Sequence, residues 1–218
     1  MIRTFRGYAI RRLDPANGIP ASGFRDYHVD MAALLFLCSL LAQSPAQAPA
    51  DPSNPVVVLE TTLGDIVIEL RQDRAPASVQ NFLAYAKTGF YDGTIFHRVL
   101  RGFMIQGGSH TAGLESKTTR GPIRNEANNG LRNLRGTVAM ARASAVRSAT
   151  SGFFINVEDN SQLNHKGLMP AEYGYAVFGK VLEGMDVVDK IAALKVRRVE
   201  EHEAVPLEAV MIKTVRPR

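Results

Sequence analysis

From residue 55 onward the chain is a succession of short apolar runs cut by glycine. Pro55 opens VVVLETT (56–62), and Leu63-Gly64-Asp65 turns the chain back into IVIEL (66–70). Both runs are rich in β-branched residues, which suit a pleated surface, so together they predict a β-hairpin. Ala75-Pro76 then opens a helix, because a proline in the first turn gives up no hydrogen bond. Val79, Phe82, Leu83 and Ala86 fall at helical spacing on one face, and Gly89 ends the element. Five more apolar runs follow, TIFHRV, FMIQ, GTVAMA, FFINV and YAVFGKV, the pattern of an antiparallel sheet closing into a barrel. A second helix is predicted for 186–194, with Val187, Val188, Ile191 and Leu194 as its apolar face. AVMIKTV (209–215) is then a last strand returning to pair near the first. The pattern defines one mainly β domain carrying two helices.

The first fifty residues read differently. MAALLFLCSLLA (31–42) is the one long apolar run, and its uncharged stretch is well short of the ~20 residues a membrane-spanning helix requires. Its length, the following QSPAQAPADPSNP and the Ala46-Gln47-Ala48 triplet match an export signal with its cleavage site. Residues 1–30 mix five Arg with three Asp and several turn formers. They are either a long basic leader or a mis-assigned start, with synthesis beginning at Met31. The expected organisation is therefore 1–30 leader, 31–48 signal, 49–55 linker and 56–216 folded domain. The mature protein is expected in the periplasm or secreted, without stable membrane insertion, and in the cytoplasm if the signal does not function.

Composition narrows the chemistry. At 218 residues, 45% hydrophobic and 22% charged, the chain can bury a sizeable core. Its single Cys, Cys38, permits neither an internal disulfide nor a Cys-based zinc site. The formal charge of +5 shrinks to +3 once the first fifty residues are set aside, and no Lys/Arg block interleaved with aromatics is present, so nucleic-acid binding is not expected. The five His, at 28, 97, 110, 165 and 202, show no metal-ligand spacing. No G-x-S-x-G elbow and no G-x-x-x-x-G-K-[ST] phosphate loop occur. No metal and no cofactor are expected.

What remains is the segment Tyr91–Gly108, which places Arg98, Phe103, Met104 and Gln106 within one short hairpin. Strand alternation puts Phe96 and Arg98 on one face. Since a barrel interior is apolar, Arg98 and Gln106 suit the outer face, where they would form the polar rim of an apolar pocket. On the residues alone, the pattern reads first as an ordinary surface cation, Arg98, beside a core phenylalanine, Phe103.

F-H-R-V-x-x-G-F-M-x-Q-G-G (96–108) resembles the signature of the cyclophilins, a family of peptidyl-prolyl isomerases. The similarity continues through Asn125-Glu126-Ala127, Gly136–Arg142, Ser151–Asn156, Val177-Phe178-Gly179 and Gly184–Val188, in order over residues 56–216, and is closest in pattern to bacterial members. The resemblance implies a closed antiparallel eight-stranded barrel with two flanking helices, acting on proline-containing polypeptides as a monomer. It implies that Arg98 is the catalytic guanidinium, that Phe103, Met104, Phe154 and Leu163 line the proline pocket, and that Gln106 and the backbone at Arg142 bind the substrate chain. Tyr175 stands at the rim, and Met140 is open between pocket and core. His97 is expected to pack or hydrogen-bond beside Arg98, and Glu126 to be a buried carboxylate accepting from backbone N–H groups. The chain departs from the pattern at Gly152, where many relatives have Gln, and at Gln162, where an aromatic is common. A weakly active peptide-binding module or chaperone is therefore the alternative to an efficient isomerase.

Overall fold

A computed structural model describes residues 54–218; the leader, the signal and Cys38 lie outside the described residues. The strands are β1 (Val56–Thr61), β2 (Gly64–Leu70), β3 (Thr94–Leu100), β4 (Met104–Thr111), β5 (Thr137–Met140), β6 (Phe153–Asn156) and β7 (Val177–Glu183), then β8 (Val196–Val199), β9 (His202–Pro206) and β10 (Ile212–Pro217). Two helices interrupt them, α1 (Pro76–Lys87) and α2 (Met185–Ala192). Eight strands form one antiparallel sheet in the order β10-β1-β2-β7-β5-β6-β4-β3. The ends nearly close on each other. Gly93 N donates to Ile212 O at 2.9 Å, Phe96 N to Val210 O at 3.0 Å, and Ile95 bridges Met211.

The expected barrel and both helices are present. The hairpin β8–β9 was not expected, and it stands apart as a separate two-stranded sheet. Its turn uses Glu200 at φ 51° instead of the Asn-Gly or Gly pair that announces a tight hairpin, and most of β8 is exposed. Helix α2 starts at Gly184, whose φ of +91° and close approach leave no space for a side chain: a Cβ there would meet Asp65 O at 2.3 Å. None of the described helices is long and apolar enough to cross a membrane.

The barrel interior is filled by alternate residues of each strand. Val99, Ile105, Ile155 and Val138 occupy successive paired positions across β3, β4, β6 and β5, and all belong to the buried core. Phe82 of α1 seals one side of that core, its ring 5.0–5.6 Å from those of Tyr91, Phe153 and Phe178.

Helix α1 lacks a capping side chain at Ala75. Glu126, 7% exposed and far along the chain, supplies it. Its carboxylate accepts from Ala77 N (3.1 Å), Ser78 N (2.9 Å) and Ser78 Oγ (2.8 Å), while Arg124 balances its charge at 3.0 Å. A carboxylate at a helix start is favoured by the free N–H groups and the helix dipole. The role expected for Glu126 is the one observed. Glu126→Ala is expected to cost about 2–3 kcal/mol, because it orphans buried donors; urea unfolding measures this, and an unchanged midpoint would refute the capping role.

Candidate active site

The outer face of the same strands builds the site. In the register across the sheet, Arg98 pairs with Gln106, Gln106 with Phe154, Phe154 with Ala139, and Ala139 with Val177. This row lies one residue out of step with the core row, so the two-residue period of a strand sends one set of side chains inward and the other to the site. The shared face expected for Phe96 and Arg98 is not observed. Phe96 pairs with Gly107 and Arg98 with Gln106, so β3 holds one extra residue, His97, in a β-bulge. The bulge reverses the alternation: Phe96 is fully buried in the barrel, and Arg98 emerges on the outside.

Arg98 and Gln106 border a cavity of about 270 Å³ with an apolar lining of Phe103, Met104, Phe154 and Leu163. Ala141, Arg142 and Tyr175 complete its rim. Met140 is not brought there. It is 2% exposed and packs in the barrel core, because β5 places Ala139 on the outer face and Met140 on the inner one. The Tyr175 ring stands edge-on to Phe154 at 5.6 Å. Over it lies the Arg142 guanidinium, 4.8 Å from the ring centroid. That guanidinium donates to the carbonyls of Gly174 (3.0 Å), Pro170 (2.8 Å), Ala143 (3.0 Å) and Ser144 (3.2 Å), joining the two loops that flank the cavity. Gln162 turns aside to donate to Asn160 at 3.2 Å and does not line the cavity.

Three buried amides that sequence reasoning did not single out hold the walls. Asn160 Nδ2 donates to Phe103 O (2.8 Å) and to Asn156 Oδ1 (2.8 Å). Asn156 Nδ2 donates to Asn133 Oδ1 (3.2 Å), and Asn133 Nδ2 reaches the carbonyls of Leu163 (3.2 Å) and Tyr175 (3.3 Å). The chain of amides thus ends on the backbone of three cavity residues, one from the β3–β4 turn and two from the connection between β6 and β7. Each Asn is at most 3% exposed, and a satisfied buried network of this kind fixes geometry because any break leaves an unpaired polar group.

Behind Arg98 lies a polar cluster. The Glu203 carboxylate of β9 accepts from Arg98 Nε at 2.8 Å and Nη2 at 2.5 Å. His97, His110 and His202 gather beside it, their ring centroids 4.2–6.2 Å apart. His97 Nε2 lies 3.5 Å from Gln106 Nε2, and its Nδ1 is buried without a hydrogen-bond partner. Burial, with a smaller contribution from the neighbouring imidazoles, pushes the His97 pKa down to about 3 and keeps the ring neutral. Burial also lowers that of His110. Among the described residues, no group of His, Cys, Asp or Glu is arranged to hold a metal ion.

The chain is similar to known proteins across the barrel. The model of the family "Cyclophilin type peptidyl-prolyl cis-trans isomerase/CLD" matches residues 56–216. Peptidyl-prolyl cis-trans isomerase B of Escherichia coli is 54% identical over 160 residues, covering 73% of this chain and 98% of that protein. Peptidyl-prolyl cis-trans isomerase A of Dickeya dadantii is 47% identical over 186 residues, 85% of this chain and 95% of its own. Among solved structures, a cyclophilin-type isomerase of Cryptosporidium parvum superposes with a TM-score of 0.62 at 26% identity, covering 76% of this chain and 98% of its own. The chain belongs to the cyclophilin-type peptidyl-prolyl cis-trans isomerases.

Because folded His97 resists a proton that the unfolded chain accepts near its ordinary pKa of 6.5, its contribution to stability is present above pH 6.5 and is lost as pH falls from 6.5 toward 3. His97→Gln should therefore show a shallower fall of Tm between pH 7 and pH 4 than the parent chain. Parallel curves would show that native His97 takes up its proton at the same pH as the unfolded chain.

Proposed function

We propose that the outer-face cavity seats the ring of a prolyl residue while Arg98 stabilises the twisted peptide bond that precedes it. The observation that carries this reading is the juxtaposition in one cavity of about 270 Å³ of an apolar floor, a guanidinium and an amide. The floor suits a five-membered ring, and Gln106 suits the backbone of an extended chain. A second structure of the Cryptosporidium parvum relative, obtained in the presence of the dipeptide Ala-Pro, has 27% identity and a TM-score of 0.61 and supports the same substrate class for this chain.

The physics follows from the amide. Rotation about an X–Pro bond breaks resonance, at a barrier of ~18–20 kcal/mol. In the twisted state the prolyl nitrogen becomes pyramidal and regains a lone pair. A donor aimed at that nitrogen stabilises the transition state while offering the planar ground state nothing. Arg98 suits the task because a guanidinium stays protonated and holds its donors in a rigid plane. Phe103, Met104, Phe154 and Leu163 hold the ring while the preceding residue, bound along the backbone at Arg142, turns. No proton is transferred and no bond is made or broken, so the reaction asks for no nucleophile.

The setting we propose is the folding of exported chains, by a monomer. Support for export comes from the apolar run 31–42 and the Ala-x-Ala triplet that follows it. The amino-terminal residue of the protein isolated from cells tests this: a start at or near Pro49 or Ala50 supports export, and an intact amino terminus refutes it.

Gly152 favours a second reading. A Cβ built on it would meet Ala141 Cβ of the cavity rim at 3.4 Å, so where many relatives have Gln this chain offers a peptide no side chain beside the rim. On that reading the protein holds proline-containing chains with little acceleration. A protease-coupled assay on a short X-Pro peptide separates the two. Arg98→Ala is expected to lower kcat/KM about 100-fold with unchanged Tm; equal activity in that variant would remove Arg98 from the mechanism.

A further inference from the structure

We infer that Glu203 is a positioning residue for the isomerase reaction, setting the orientation of the Arg98 guanidinium from the β8–β9 hairpin. The inference rests on the reading of Arg98 as the donor to the prolyl nitrogen and names what holds that donor in place.

Arginine is a poor choice for a precisely aimed donor unless something fixes it, since its long side chain has many rotamers. The side chain of Arg98 is 34% exposed, so packing alone does not hold it. Glu203 does. A single carboxylate oxygen, Oε1, receives both Nε–H and an Nη2–H, at 2.8 and 2.5 Å. Two bonds to one oxygen set the direction of the guanidinium plane, because Nε and Nη2 lie on one edge of it. The opposite edge, with all of Nη1, is left for the cavity that Arg98 borders.

The anchor itself is held. Glu203 follows His202 on β9, and the next two residues, Ala204 and Val205, are buried at 2% and 7% exposure. Strand β9 is bonded to β8, and Leu207 N donates to Lys195 O at 2.9 Å across the hairpin base. His202 stands beside His97 and His110 with ring centroids 6.2 and 5.1 Å away, so the hairpin meets the barrel next to the bulge that turns Arg98 outward. The barrel lacks this hairpin in its eight-stranded closure; the hairpin contributes an anchored carboxylate to the site instead.

Stability does not account for the pair. Glu203 is 49% exposed, and an ion pair so open to water contributes little to folding. Its effect is expected in the turnover step. An aimed donor matters only when the nitrogen has become pyramidal, so loosening Arg98 should lower kcat and leave KM nearly unchanged. The amide oxygen of a glutamine can accept the same two N–H groups, which gives a conservative rescue.

The experiment compares Glu203→Ala and Glu203→Gln in the full chain and in the Arg98→Ala background, with Tm measured alongside. Glu203→Ala is expected to lower kcat about five- to tenfold at unchanged KM and Tm, and Glu203→Gln to recover most of that loss. In the Arg98→Ala background Glu203→Ala should cost nothing further, because its effect travels through Arg98. Full kcat in Glu203→Ala would overturn the inference. So would the same fold-loss with and without Arg98, since it would mean that Glu203 acts through the fold or on the substrate directly. Full activity in the Arg98→Ala single variant is a different failure, because it removes the reading on which the inference rests.

Discussion

A strand gives its side chains two destinations, and a barrel makes the choice between them strict. Anything turned inward must be apolar and must fit; anything turned outward is free to carry chemistry. Here four adjacent strands use both. Val99, Ile105, Ile155 and Val138 fill the interior, and the neighbouring row of Arg98, Gln106, Phe154 and Ala139 builds the site on the other side of the same backbone. The bulge at His97 is what makes this compatible with the sequence. Without the extra residue, Phe96 and Arg98 would share a side, and one of the two would be misplaced: a charge in the core or a large ring in water.

The sheet alone does not finish the cavity. Phe103, Leu163 and Tyr175 arrive from a hairpin turn and from a long loop, segments with no ladder to fix them. Asn133 and Asn160, linked through Asn156, supply the missing constraint by donating to the carbonyls of all three. Fixing backbone carbonyls has an advantage over packing side chains: the apolar faces of Phe103 and Leu163 remain available to a ligand while their main chain is held from behind. The same division of labour recurs at Arg98, whose one edge is taken by Glu203.

How much of this could be read from residue order depends on how far each signal reaches. The eight barrel strands, helix α1 and its start at Pro76 are local features, marked by β-branched runs, by apolar spacing and by proline, and they appear where expected. The resemblance to the cyclophilins placed Arg98, Phe103, Met104, Gln106, Phe154 and Leu163 together, and all of them border one cavity. Met140 was open between core and pocket because β5 is only four residues long, too short for its alternation to reveal which face is which. Simple alternation assigns Phe96 and Arg98 one face because a bulge leaves no mark in composition. The β8–β9 hairpin carries no turn signature in the sequence, its turn being made by glutamates instead of glycine. Glu203 had no signal at all: it meets Arg98 across 105 residues of chain, a distance over which only the closed sheet keeps account.

The clasp formed by Arg142 bears on how such a site is used. One guanidinium joins carbonyls from residues 143, 144, 170 and 174, so the two flanking loops are tied to each other before any polypeptide arrives. A cleft already in its working shape spends none of the free energy of an encounter on ordering itself. A passing segment then needs to be gripped only for the duration of one bond rotation, and it can leave as easily as it came. Stiffness of this kind leaves the cost of an encounter with the arriving chain, which must itself adopt the shape that the cleft offers.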